Sequence, residues 1–337
     1  MAAKPHKPTM EDVAGAAGVS RALVSLVFRG STSVSGERRH RVLAAAETLG
    51  YRPNALARGL ASRRTRTIGV LINDLHNPFF ADIYDGLEDV ADELGLRLLL
   101  TTARRRDGGE SAAIDTMVDH RVEAHVLVSP RLADAVIVGA SAHVPLVVIG
   151  RRVDGPAIDS VMADESDGAL KVVGHLAGLG HRSVTHIDGG HGAGAAERRN
   201  GYAAAMHTLG LGPVDVIAGD FTESSGEQAA MSLLERGALP TAVFAANDLV
   251  AIGVMHAFAQ TGVRVPEHVS VVGYDNTALA HLHHLSLTTI NQPRREMGEA
   301  ALRLLDERLT GTRDAPVVHL APPTLVERRT TAPPRWS

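Results

Sequence analysis

From Ile68 onward the chain repeats one unit, a short apolar run followed by an amphipathic stretch, and the series of units occurs twice. "IGVLI" leads into a helical pattern from about Pro78 to Leu94, "LRLLL" into one around 109–120, and "AHVLV" and "LVVIG" follow. The second series runs "SVTHI", a helix around 195–209, a strand near "VDVIAG", a helix around 226–236, "TAVFAA", a helix around 248–261, and "VSVVG". Continuous apolar runs suit strands buried on both faces, and strands separated by helices run parallel, because each crossover returns the chain over the sheet. The pattern predicts an α/β body of two similar, doubly wound parallel-sheet subdomains, with chain crossings near 161–164 and 286–291. Ligands of such sheets lie beyond the carboxyl ends of the strands, and a cleft between two halves doubles the opportunity.

The residues at those ends have suitable chemistry. Asp74 and an "NPFF" turn follow the first strand, Arg151 follows "LVVIG", Arg198 begins a helix, Asn247 and Asp248 follow "VFAA", and Asp275 follows "VVGY". A sugar or nucleoside needs forked donors and acceptors together with a flat apolar face. Arginine, asparagine and aspartate supply the first, and Phe80 and Phe221 the second. Each has an ordinary structural use as well: Asp248 is expected to cap the next helix, Phe79 to enter the core, and Phe221 stands open between core and ligand face.

A different pattern precedes the body. Thr9 lies before "MEDVAGAAG" with Asp12 three positions on, a capping arrangement that starts a helix ending at Gly18. Ser20 caps a second helix after only "GVS", and two short helices joined by so tight a turn match the helix-turn-helix, whose second helix lies in the DNA major groove. With Val24, Val27 and Phe28 turned inward on a 3.6-residue period, Arg21, Ala22, Ser25, Leu26 and Arg29 line the opposite stripe. Ser35 caps a third helix whose Val42, Leu43, Ala46 and Leu49 form an apolar stripe, and Gly50 stops it. The expected divisions are an all-α head at 1–52, a hinge helix and linker at 53–66, a body at 67–330 and a tail at 331–337. Within the body, one subdomain takes about 67–162 and 291–320, the other about 163–290 and 321–330.

Charge separates the same parts. Residues 1–66 hold 12 Lys and Arg against 4 Asp and Glu, leaving 22 against 34 in the remainder of a chain whose net charge is −4. A basic head on an acidic body directs only the head to a polyanion. Cysteine is absent, so disulfide and thiolate chemistry is excluded. No apolar run approaches the roughly 18 residues of a membrane helix and the start has no apolar leader, so a cytoplasmic location and no membrane partner are expected.

"PTMEDVAGAAGVSRALVSLVF", "VSGERRHRVLAAAETLGYRPNALARGL" and "TIGVLINDLHNPFF" resemble the head, hinge and core start of lactose-repressor-family (LacI/GalR) transcription regulators. The likeness continues in order through "GHLAGLGHRSVTHIDG", "AVFAANDLVAIGV", "VSVVGYDN" and "LTTINQPRREMGEAALRLL". The resemblance implies a periplasmic-binding-protein-like body and a homodimer on a near-palindromic DNA operator. It makes Arg21, Ala22 and Leu26 the base-reading positions and Ser20, Ser25, Arg29, Ser35, Tyr51 and Asn54 phosphate or positioning contacts. Thr9 and Ala57 join this set, and Leu60 becomes a wedge in the minor groove. The resemblance also assigns Arg198, Asn247, Asp275 and Phe80 to the effector. Departures matter: Ala22 and Leu26 stand where relatives often carry Gln and Arg, Arg29 where asparagine is common, and Gly150 where an acid often precedes the arginine. Alanine and leucine touch a thymine methyl but make no bidentate bond to guanine.

Two signals carry less. "GGHGAG" at 189–194 imitates a dinucleotide fingerprint without its final glycine and away from the first strand of the body, and "HLHH" with His281, His283 and His284 lacks any metal-ligand spacing. No cofactor, metal or catalytic assembly is expected. The leading expectation is a repressor answering to a sugar or sugar derivative; a purine- or nucleoside-responsive repressor and a solute-binding receptor without DNA function are the alternatives. The tail "RRTTAPPRWS" has no leucine heptads, so no coiled-coil tetramer is expected.

Overall fold

Thr9 and Asp12 close a reciprocal cap on the first helix, α1 (Met10–Ala17): the Asp12 carboxylate accepts from Thr9 N at 2.7 Å and Thr9 Oγ1 accepts from Asp12 N at 3.3 Å. Gly18 ends it in the left-handed region at φ 64°, a backbone state that costs glycine little. The computed structural model describes residues 8–28, 31–51, 65–103 and 108–335. The chain divides into two units, Met1–Arg66 and Thr67–Ser337. In the first, α2 (Arg21–Phe28) opens with Ser20 Oγ accepting from Leu23 N at 3.2 Å, and α3 (Gly36–Thr48) follows. Val13, Ala17, Val24, Val27, Val42 and Ala46 form the core. The Arg41 guanidinium donates to the Ala17 carbonyl at 2.5 Å and so holds the turn from α3.

Two expectations for this unit change. Leu43 is 46% exposed, because Val42 and Ala46, four residues apart, already define the inward stripe and Leu43 lies about 100° round the helix from Val42. Ser35 sits at the N-cap of α3 without a side-chain cap bond; its carbonyl accepts from Arg39 N instead. Arg29, Asn54, Ala57 and Leu60 lie outside the described residues.

The second unit holds two parallel sheets. The first orders β11-β5-β4-β3-β1-β2, from β1 (Thr67–Ile72), β2 (Arg97–Thr102), β3 (Ala124–Val128), β4 (Leu146–Ile149), β5 (Ile158–Ala163) and β11 (Val318–Ala321). Its helices are α4 (Phe79–Leu94), α5 (Gly109–Asp119), α6 (Asp134–Ser141) and α11 (Arg294–Thr310). Alternation sends Ile68, Val70 and Ile72 to one core with α4 and α11, and Leu71 to another with α5 and α6, so both faces of the sheet are covered. The second sheet orders β7-β6-β8-β9, from β6 (Val184–Ile187), β7 (Asp215–Ile217), β8 (Ala242–Ala245) and β9 (Ser270–Val272). α7 (Glu165–Gly178), α8 (Ala195–Thr208), α9 (Glu223–Glu235) and α10 (Asp248–Gln260) flank it. Among the described residues no helix is long and apolar enough to cross a membrane.

The two doubly wound subdomains match the expectation. β10 (Thr289–Asn291) and β12 (Thr324–Val326) pair antiparallel, and the chain passes between subdomains three times, from β5 to α7, β10 to α11 and β11 to β12. The helix α6 had no clear period in "DAVIVGAS", where apolar residues occupy every face. Close helix contact rests on glycine: a Cβ on Gly86 of α4 would stand 2.1 Å from the Arg295 carbonyl oxygen, and one on Gly298 of α11 2.2 Å from that of Ile83.

Candidate functional site

A cleft of about 680 Å³, its open mouth included, collects the loops that follow the strands of both sheets. Asn73, Asp74, Asn77, Phe79 and Phe80 come from the end of β1, Ser129 and Arg131 from that of β3, and Gly150 from that of β4. The second subdomain contributes Glu165, Gly192, Ala193, Arg198, Phe221, Asn247, Asp275 and, after β10, Gln292. Carboxyl strand ends meet here because every parallel strand in each sheet points the same way.

Phe79 and Phe80 open α4, their rings 5.2 Å apart and edge to face, each still 8% exposed toward the cleft. Asn77 Oδ1 accepts from Phe79 N at 3.0 Å, which fixes the turn that carries them. Phe221 faces them chemically from the other subdomain. Its backbone is left-handed, at φ 68°, and its ring fills the space over Gly189 and Gly192, where a Cβ would lie 2.2 and 2.4 Å from ring atoms. The glycines of "GGHGAG" therefore seat an aromatic ring. Asp188 ties the loops on either side of it, accepting from Gly190 N at 2.9 Å, Gly219 N at 3.1 Å and Arg199 at 2.7 Å; burial works against its charge, yet these donors hold the carboxyl below the usual range.

Asn247, not Asp248, caps α10: its Oδ1 accepts from Val250 N at 2.9 Å, and its Nδ2 donates to the Phe221 carbonyl at 3.2 Å. Asp248, one residue inside the helix, is fully buried and accepts from Thr277 N at 2.7 Å, Thr277 Oγ1 at 2.9 Å and Thr289 Oγ1 at 2.6 Å. Asp275, at φ 113° and 4% exposed, accepts from Gln292 Nε2 at 2.7 Å. Burial first and the Asp248 charge second raise its carboxyl to about 8, against the pull of Arg198 and Arg294. A protonated Asp275 can donate to a hydroxyl, which an ionised one cannot.

Arg198 is 3% exposed and engaged on every nitrogen. Nε and Nη2 donate to Glu165 Oε2 at 3.0 and 2.7 Å, Nη1 donates to the Ala246 carbonyl, and Cζ lies 3.5 Å from the Tyr274 ring centroid. Burial raises the pKa of Glu165 although Arg198 pulls it down. The pair is thus a neutral, stacked strut beneath Phe221, 5.6 Å from its ring centroid.

Arg151 does not reach the cleft. Its guanidinium donates to the Pro130 carbonyl at 3.0 Å, the Leu132 carbonyl at 2.5 Å and Asp134 at 2.5 Å. The loop after β3 offers those carbonyls closer to hand than any ligand. Asp74 does line the cleft, its Oδ1 accepting from His76 N at 2.9 Å. Reasoning from sequence missed Asn73, Ser129, Arg131, Glu165 and Gln292. Glu165 followed a predicted crossing strand and was readable only as a favourable first-turn acid; "SPRLAD" carried no period at all.

On the first unit, α2 leaves Arg21 and Ala22 exposed and Ser25 and Leu26 half-buried, while Val24 and Val27 are buried. Ser20 and Thr9 spend their hydroxyls as helix caps, and Tyr51 packs 5.7 Å from the Phe28 ring centroid. Of the stripe expected to face outward on α2, Arg21 and Ala22 are exposed, whereas Leu26 packs partly against the core, as Phe28 does.

Residues 9–54 match the family described as bacterial regulatory proteins, lacI family, and residues 173–331 the periplasmic binding protein-like domain. The HTH-type transcriptional repressor PurR of Erwinia tasmaniensis is 33% identical over 333 residues, 96% of this chain and 97% of that protein. The chain belongs to the lacI family. Among solved structures, the lac repressor dimer bound to operator and the anti-inducer ONPF superposes with a TM-score of 0.88 at 31% identity, over 97% of this chain and 100% of that one. A complex of the transcriptional regulator CelR with cellobiose gives 0.74 at 32% identity, over 96% and 99%. This lacI-family protein is a DNA-binding transcription regulator with a ligand-binding body.

Proposed function

We propose that the regulator is a repressor that binds a near-palindromic operator as a homodimer and is switched by a carbohydrate in the body cleft. The observation that carries the reading is the lining itself. Phe80 and Phe221 give flat apolar walls, and Asn73, Asn247, Asp275 and Gln292 give polar groups able to accept and donate to hydroxyls. The likeness to a cellobiose-bound regulator supports the same ligand class, and the operator-bound lac repressor dimer supports the two-fold arrangement on DNA. On the head, Arg21 is the side chain able to fork onto guanine, and Ala22 and Leu26 can contact only thymine methyls, so operator preference rests on Arg21 and the hinge. Ligand that favours one orientation of the two subdomains shifts DNA affinity by a coupling of about 1–3 kcal/mol, reciprocal between the sites.

Phe221 favours a second reading, because a ring presented over Gly189 and Gly192 can stack on a purine as well as on a sugar face. Mobility-shift titration of DNA upstream of and around its own gene, with sugars, sugar phosphates and nucleosides added singly, tests both. A sequence-specific shift altered by a sugar-class compound supports the first reading; one altered by nucleosides alone, and lost in Phe221→Ala, supports the second. No specific shift under any condition overturns the repressor function.

A further inference from the structure

The loop after β3 is clamped from two sides. Glu110 of α5, 7% exposed, accepts from Arg131 N at 3.0 and 2.9 Å and from Leu132 N at 2.8 Å. Opposite it, Arg151 donates to the carbonyls of Pro130 and Leu132 and to the Asp134 carboxylate. A carboxylate on the amides and a guanidinium on the carbonyls leave these few residues little freedom. The loop begins at Ser129, held at φ 50°, a backbone state rare for a residue with a side chain.

What the clamp presents is the side chain of Arg131. It is exposed, lines the cleft, and among the described residues no hydrogen bond or ion pair takes its guanidinium. Arg198, which also lines the cleft, is neutralised by Glu165. Next to Ser129 the wall is Gly150, at φ 98°, where a Cβ would meet Ser129 Oγ at 2.9 Å, so no acidic side chain fits there without displacing a neighbour. Of the other acidic groups described in the lining, Asp74 accepts from His76 and Asp275 accepts from Gln292. A rigid backbone therefore holds a fork of donors, unpaired among the described residues, at the cleft, an arrangement suited to a planar carboxylate or a phosphate.

We propose that Arg131 anchors an anionic group of the effector, so that the effector is an acidic sugar derivative, a sugar phosphate or a sugar acid. The inference rests on the carbohydrate reading of the cleft. Calorimetric titration of the full-length protein tests it with matched sets, each a neutral hexose or pentose, its terminal phosphate and its uronic or aldonic acid, and with inorganic phosphate alone. One acidic member is expected to bind more tightly than its neutral parent, by about 10- to 100-fold, the span of a charge-assisted hydrogen-bond pair. Arg131→Ala should remove that advantage, so that acidic and neutral members bind this variant equally, and Arg131→Lys should restore part of it. The side chain is exposed, so thermal melting of both variants should equal that of the parent. The phosphate and acid arms identify which group is held.

Equal binding of neutral and acidic members, or an acidic ligand indifferent to Arg131→Ala, overturns the proposal while leaving the carbohydrate reading standing. Inorganic phosphate binding as tightly as any sugar phosphate means an adventitious ion only and overturns it as well. Silence of every set overturns the carbohydrate reading, and this inference with it.

Discussion

Replacing Arg198 by methionine separates the two roles that a buried arginine in a ligand cleft can have. The substitution leaves Glu165, 5% exposed, without its counter-charge, and the Ala246 carbonyl without its donor. Breaking a buried pair from one side costs about 3–5 kcal/mol, because the remaining charge keeps its desolvation penalty. The orphaned carbonyl and the lost stacking on Tyr274, at 3.5 Å, act in the same direction. Removing both charges with Glu165→Met/Arg198→Met abolishes that penalty, and such replacements are about neutral in stability or better. Urea denaturation of the four corners of this cycle at pH 7 should give a loss of about 3–5 kcal/mol for Arg198→Met alone, with at least about 2 kcal/mol recovered in the double variant. The single variant's deficit should shrink as pH falls, since burial already raises Glu165 and protonation removes the unpaired charge. A loss under about 1 kcal/mol for the single variant, or a double variant as unstable as the sum of its parts, would refute the strut. The guanidinium would then be free to serve the effector directly.

Asp275 gives a pH signature. Its carboxyl is raised from 3.8 to about 8 in the folded chain, so the folded state holds an extra proton across that window. Stability should fall as pH rises from about 3.8 to about 8 and level off above it. Asp275→Asn cannot ionise, and its melting temperature relative to the parent should climb between pH 5 and pH 8; a constant difference would refute the assignment. On the head, Arg21→Ala should cost about 1–3 kcal/mol on the specific operator with an unchanged salt slope, because it reads a base. A slope reduced by about one, with equal losses on specific and nonspecific DNA, would make Arg21 a phosphate contact.

The sheets were legible because their code is local: apolar runs alternate with amphipathic helices, and Ile68, Leu71 and Val126 need no distant partner to declare a buried strand. The third crossing was harder, since "VHLA" and "TLV" are short and half-exposed, and they pair only with strands about 160 and 35 residues earlier in the chain. The cleft residues divide the same way. Phe80, Phe221, Asn247 and Asp275 stand at strand ends, where topology alone locates a ligand. Arg151 stands at such an end too, and the loop of residues 130–134 captures it. Which of two arginines faces a ligand depends on backbone carbonyls that any sequence could supply, so no residue pattern announces it. Glu110 carries no sequence signal beyond an acid in a helix's first turn, and Arg151 reads as a ligand contact after a strand, yet together they fix the loop that carries Arg131. Side chains that bind ligand are chosen by position along the strand, whereas those left free to do so are chosen by what their neighbours have already satisfied.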